Sequence, residues 1–162
     1  MDRVVGALGP LFKAWRLLVA GLEAAQPRAQ FAARWYVAKV FFLSGLTKIR
    51  DWDTTLALFT DEYKVPLLPV PLAAVMGTGG ELVLPVLLVL GLGGRFAALG
   101  LSCVNAVAVL SLPEIADAAL AQHILWGCLL AGLALWGPGA WSLDRWVGRW
   151  LQGQLRAGPP QA

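Results

Sequence analysis

Few residues of this chain can do chemistry, and most of them lie inside long apolar runs. Glu81 is the one acid between Lys64 and Glu114. Lys39 sits within Phe31–Leu46, with Arg34 and Lys48 near the two ends of that stretch. Asn105 lies in the middle of a third apolar run, and His123 follows Gln122 near the start of a fourth. An ionisable group inside a membrane costs about 2.5–3.5 kcal/mol on insertion scales, so each is a functional candidate by default. Glu81 therefore needs a cation or a proton, and two arrangements supply a cation. Lys39 would match it in depth if the first two apolar helices are antiparallel neighbours. Alternatively, Arg34, Ala38, Gly45 and Lys48 share one helical face, so the long side chains from the ends reach Glu81 and Lys39 snorkels to the interface.

The thiols are a weaker lead. Cys103 and Cys128 fall near mid-depth of adjacent apolar runs, where a thiol pair, a disulfide or a soft-metal site with Met76 or His123 is conceivable. There is no C-x-x-C and no second histidine, so no ligand set forms and no metal is expected. Buried free cysteines commonly act as small hydrophobes. The single histidine also excludes bis-histidine haem within the chain. No P-loop pattern occurs, and Gly91, Gly93 and Gly94 follow an apolar helix rather than a strand, so no nucleotide fingerprint is supported. The chain should carry no cofactor of its own, and catalytic residues cannot be assigned from these types and spacings.

The elements that must position these residues are apolar helices. Of 162 residues, 58% are apolar and 14% charged, against roughly 45–50% and about 25% in soluble domains. Charge-free runs cover 65–80, 82–94, 96–113 and 118–143. A spanning helix needs roughly 17–25 mostly apolar residues. The expected spans are 31–48, 70–91, 95–113 and 118–137. Proline and glycine punctuate them: Pro66, Pro69 and Pro71 before the second, Gly91–Arg95 after it, Pro113 after the third, and Gly137-Pro138-Gly139 after the fourth. The expected fold is an all-α, four-helix transmembrane bundle over 31–137. Amphipathic interfacial segments should flank it at 1–30 and 138–162, with another in the first outer loop.

Lysine and arginine set the expected orientation. Arg3, Lys13, Arg16, Arg28, Arg34, Arg95, Arg145, Arg149 and Arg156 put nine on one side; Lys48, Arg50 and Lys64 put three on the other. Both termini should then be cytoplasmic, and no cleavable signal is expected. The scattered basic residues read as topology signals, not nucleic-acid contacts. Leu11, Trp15, Leu18, Val19 and Leu22 share one helical face, and Trp141, Trp146 and Trp150 stand among Arg145 and Arg149. Trp52, Leu56, Phe59 and Tyr63 also recur at helical spacing. That middle segment either lies in the headgroup plane or docks against the bundle or a partner chain.

Several pieces, in order, resemble the DoxX family of small bacterial four-helix membrane proteins. They are Arg34, Phe42-Leu-Ser-Gly45-Leu-Thr-Lys48, Val65-Pro66, Gly80-Glu81, the Gly91…Arg95 link and Gly137-Pro138-Gly139…Ser142-Leu143-Asp144. The resemblance runs over roughly residues 31–146, and Lys39 matches no family position. It implies a membrane subunit in redox or in metal and thiol-stress physiology, with a protein partner. In that reading Glu81, Asn105 and a cation of the first span would line a pocket for a quinone headgroup or a small anion, and any electron transfer would use a bound quinone or a partner's cofactor, making the chain a quinone-linked oxidoreductase subunit rather than a self-sufficient enzyme. The rival reading is a non-enzymatic anchor, or an export or maturation partner for a neighbouring protein or a copper-binding peptide. In the Ser142-Leu143-Asp144 piece, Ser142 should cap the following helix, and Asp144 should favour that helix's positive end.

Overall fold

A computed structural model describes residues 2–157, and all the regular elements among these are helices. The helices are α1 (Asp2–Arg50), α2 (Trp52–Asp61), α3 (Val70–Leu90), α4 (Gly94–Ser111), α5 (Asp117–Trp136) and α6 (Leu143–Ala157). The outermost residues of the two expected terminal segments, 1 and 158–162, lie outside the described residues.

Three of these helices, α3, α4 and α5, are long and apolar enough to cross a membrane. Their ends fall within two residues of the expected second, third and fourth spans. The expected first span, 31–48, differs in two ways. Arg34, Lys39 and Lys48 dilute its apolar run, and it is the last part of a single helix of 49 residues. No helix break separates 1–30 from 31–48: α1 continues through Pro27, whose missing N–H costs one intrahelical bond without ending the helix.

Helices α1, α3, α4 and α5 pack side by side, α1 chiefly on α3, α3 on α4 and α4 on α5, with a lighter α1–α5 contact closing the set. The core between them joins Val37, Ala38 and Phe41 of α1 to Leu88, Leu101 and Leu130. Phe41 meets Trp126 of α5 edge-on, ring centres 5.8 Å apart. Gly45 lets α1 approach α3 closely: a Cβ there would lie 2.9 Å from Leu82 Cγ and 3.1 Å from Glu81 Cβ. Small residues allow this kind of contact between membrane helices.

The middle amphipathic segment docks on the bundle. Phe59 of α2 is buried with Ala73 and Ala74 of α3, and Trp52, Leu56 and Tyr63 pack against them. Asp51 starts α2 by accepting from the Thr54 N–H at 3.0 Å and the Thr54 hydroxyl at 2.7 Å. These bonds hold the Asp51 carboxyl below the usual carboxylate range. By contrast, Leu11, Phe12, Trp15, Leu18 and Leu22 of α1, and Trp146 and Trp150 of α6, stay exposed.

Candidate functional site

The polar residues of the bundle gather into three groups at different heights. At one end, the last turn of α1 places Lys48 opposite Glu81, which lies at mid-length of α3. Lys48 Nζ donates to both Glu81 oxygens at 2.6 Å, and the side chains keep 15% and 8% exposure. Phe59 of α2 lies over the ammonium, 5.9 Å from ring centre to Nζ. Thr55 of α2 donates its hydroxyl to the Lys48 carbonyl at 2.8 Å, fixing the end of α1 beneath α2. Nearby, burial and the negative charges of Glu81 and Glu62 push the Tyr63 phenol above its ordinary range. One turn from Glu81 on α3, the Thr78 hydroxyl is buried without a hydrogen-bond partner.

The second group joins α4 to α5. Asn105 Nδ2 donates to the His123 carbonyl at 2.9 Å, while Asn105 Oδ1 lies 2.8 Å from His123 Nδ1. A carbonyl only accepts, so the first contact fixes which end of the amide is Nδ2. The Oδ1 atom can then only accept, so His123 Nδ1 must carry a proton. In neutral His123 this leaves Nε2 as the acceptor. The imidazole also stands edge-on to Trp126, centres 4.9 Å apart. The cross-helix bonds between Asn105 and His123 account for the buried amide as a packing element.

The third group lies at the opposite end of the bundle from Lys48. Arg34 is fully buried. It donates to the carbonyls of Leu88 and Val89 at 3.4 and 3.3 Å, and to the carbonyl of Trp141. Two of these acceptors belong to the last turn of α3, where orphan carbonyls and the negative helix end favour a cation. Gly91 ends α3 at φ +65°, and an added Cβ would strike Arg34 and Ser142. Asp144 acts elsewhere than expected: its carboxylate accepts from the N–H groups of Gly93 and Gly94 at 2.7 and 2.8 Å. It therefore caps α4, not only its own helix. Ser142 does cap α6, accepting from the Arg145 N–H at 3.4 Å.

Among the described residues no hydrogen bond or ion pair joins these three groups. Lys39 belongs to none of them and is exposed. Cys103 and Cys128 are free and exposed on the helix exteriors. Thr78 escaped the sequence reading, as did the approach of Phe59 and Tyr63, placed there only in an amphipathic stripe, to Lys48 and Glu81. Thr78 alone was within its reach, three residues before Glu81 and so on the same helical face.

The model of the DoxX family matches residues 29–114, which is shorter at the C-terminal side than the expected 31–146. That stretch contains Arg34, Lys39, Lys48, Glu81 and Asn105 but stops short of His123 and Asp144. No curated protein matches the chain, and no solved structure does.

Proposed function

From membership of the DoxX family, to which this chain belongs, we propose that it is a membrane subunit of a redox or metal and thiol-stress complex, holding a quinone headgroup or small anion beside Glu81 and Lys48. In this reading α1 supplies a fourth span over 31–48, and both termini face the cytoplasm of an inner membrane. Arg28, Arg34, Arg95, Arg145 and Arg149 lie at one end of the bundle, against only Lys48, Arg50 and Lys64 at the other. That asymmetry supports the orientation. Reporter fusions after Arg28, near Asp61, at Gly94, near Asp117 and after Arg156 should read in, out, in, out and in. A periplasmic signal after Arg28 with a cytoplasmic one near Asp61 would reverse it.

The observation that carries the ligand reading is the unpartnered Thr78 hydroxyl. A buried hydroxyl without a partner costs about 1–3 kcal/mol, and this one lies a turn away from a buried ion pair. Lys48 has a third ammonium proton beyond the two given to Glu81. The Thr78 hydroxyl and that proton are donors suited to a quinone carbonyl or an anion oxygen. A bound quinone would supply two-electron redox chemistry. The chain's own part is to offer donors, hold Glu81 against Lys48, and exclude water with Phe59 and Tyr63. Extraction of the gently solubilised complex tests this. Quinone should co-purify in near-stoichiometric amount and be lost in Thr78→Val, with the fold intact. Quinone retained at the normal level in that variant would refute the assignment.

A second reading, the non-enzymatic anchor or maturation partner, has its own support. Lys48 already satisfies both Glu81 oxygens, and the exposed apolar residues of α1 and α6 leave surface for a partner. The same purification distinguishes the two, because an anchor brings down protein without quinone.

A further inference from the structure

On the outer wall of the bundle, α1 and α3 diverge to leave an apolar groove of about 260 Å³ beside Lys39. Trp35, Lys39 and Phe42 contribute from α1, and Pro85, Val86 and Val89 from α3. Lys39 is exposed and, among the described residues, makes no hydrogen bond or ion pair. Glu81, the one acid within the apolar runs, is already engaged by Lys48. An exposed, unpaired ammonium beside an apolar groove is free to take an anion from outside the chain.

Geometry indicates where that anion lies. Lys39 follows Arg34 by five residues, about 7.5 Å along the helix. Helical side chains lean towards the helix N-terminus, so the Lys39 ammonium reaches back towards the level of Arg34 and Trp35. That level is the end of the bundle, where α3 stops at Gly91 and α4 begins. The ammonium therefore stands at headgroup depth, while the groove below it, towards Phe42 and Pro85, stands at acyl-chain depth.

We propose that this groove binds an anionic phospholipid of the leaflet at the Arg34 end. The phosphate sits on the Lys39 ammonium and one acyl chain lies between Phe42 and Val86. Trp35, half exposed at the rim, suits the headgroup boundary because its ring and its N–H can face different media. A basic side chain over an apolar cleft between helices provides both parts of such a lipid's chemistry. An acidic residue on a neighbouring protein's span is the competing occupant. It is disfavoured because the ammonium leans to the interface rather than the bilayer centre. The site rests on α1 crossing the bilayer, which the reporter fusions test separately.

Native mass spectrometry of the detergent-solubilised full chain, titrated with phosphatidylglycerol and with phosphatidylcholine, tests the proposal. The wild type should retain phosphatidylglycerol in preference to phosphatidylcholine. Lys39→Gln should weaken phosphatidylglycerol binding about fivefold, the worth of one basic residue at an anionic surface, and leave phosphatidylcholine unchanged. Val86→Trp, which fills the groove from its exposed wall, should weaken both. Arg95→Gln, another exposed cation at the same end, should have little effect. Equal retention of the two lipids by wild type would overturn the site. So would a Lys39→Gln effect no larger than that of Arg95→Gln, or a photocrosslinker at position 39 that captures a protein carboxylate in place of lipid.

Discussion

Separating Glu81 from Lys48 is the most informative perturbation of this bundle. Glu81→Gln keeps the shape of the side chain but leaves the Lys48 ammonium beneath Phe59 without its two charge-assisted bonds. Removing one partner of a buried pair costs about 3–5 kcal/mol. Lys48 lies in the last turn of α1 with 15% of its side chain exposed, so the ammonium can turn outward, which favours the lower end. About 3 kcal/mol is roughly a 150-fold change in the folding equilibrium. Lys48→Met should cost as much or more, because the Glu81 carboxylate lies mid-helix with 8% exposure and less freedom to reach water. The double variant should recover most of the loss, since an apolar or neutral replacement of a buried pair is often close to neutral. The assay is reversible unfolding in mixed micelles, followed by tryptophan fluorescence, as a double-mutant cycle. The coupling energy should exceed about 2 kcal/mol, near the upper range for contacting pairs. Additive single costs, or single variants within about 0.5 kcal/mol of wild type, would refute the reasoning. A double variant that is stable yet devoid of bound quinone would assign the pair to ligand binding as well as to packing.

Further outcomes follow from other contacts. Gly91→Ala must displace Arg34 and adopt a strained φ, so it should destabilise the bundle by more than about 2 kcal/mol in the same unfolding assay. Asp144→Asn presents an amide to two N–H donors where a carboxylate stood, and should cost about 0.5–2 kcal/mol, typical of losing a helix cap. Replacing Cys103 and Cys128 together by Ala should leave stability within about 0.5 kcal/mol and any complementing activity unchanged, because both are exposed and free. Asp51 titrates below its ordinary range, so its cap on α2 is present above the unfolded carboxyl pKa and is lost as pH falls below about 4. Amide exchange in α2 should accelerate there, and Asp51→Asn should flatten that pH dependence.

The legible part of this molecule was the part written in uninterrupted apolar runs. Helices α3, α4 and α5 declared themselves by length and punctuation, and their ends need no tertiary information. The last part of α1 was ambiguous because Arg34, Lys39 and Lys48 are expensive in an apolar helix unless something compensates them. Compensation is a property of neighbours and not of the run itself. Helical angle put Arg34 and Lys48 on one face and Lys39 on another, but only packing could say that Lys48 alone takes Glu81. Arg34 met carbonyls, for which the sequence offers no signal at all. Asp144 read naturally as a contributor to its own helix. Its partners lie some 50 residues earlier, and no local spacing announces a contact of that kind. The docking of α2 was undecidable because one amphipathic stripe suits a lipid surface and a protein surface equally.

The fastening of Arg34 to Trp141 has a consequence for how the molecule is made. The two residues are 107 positions apart. At about 5–20 residues per second, the ribosome needs about 5–20 s to go from one to the other. Through that interval the Arg34 guanidinium lacks one of the three carbonyls it will finally use. Asp144 arrives three residues after Trp141 and secures the Gly93–Gly94 turn at the same moment. Early and late segments are thus committed to each other only when synthesis passes residue 144. A nascent chain interrupted before that point displays an incompletely satisfied cation and an uncapped helix, the features by which quality-control proteases could discriminate it from the finished protein.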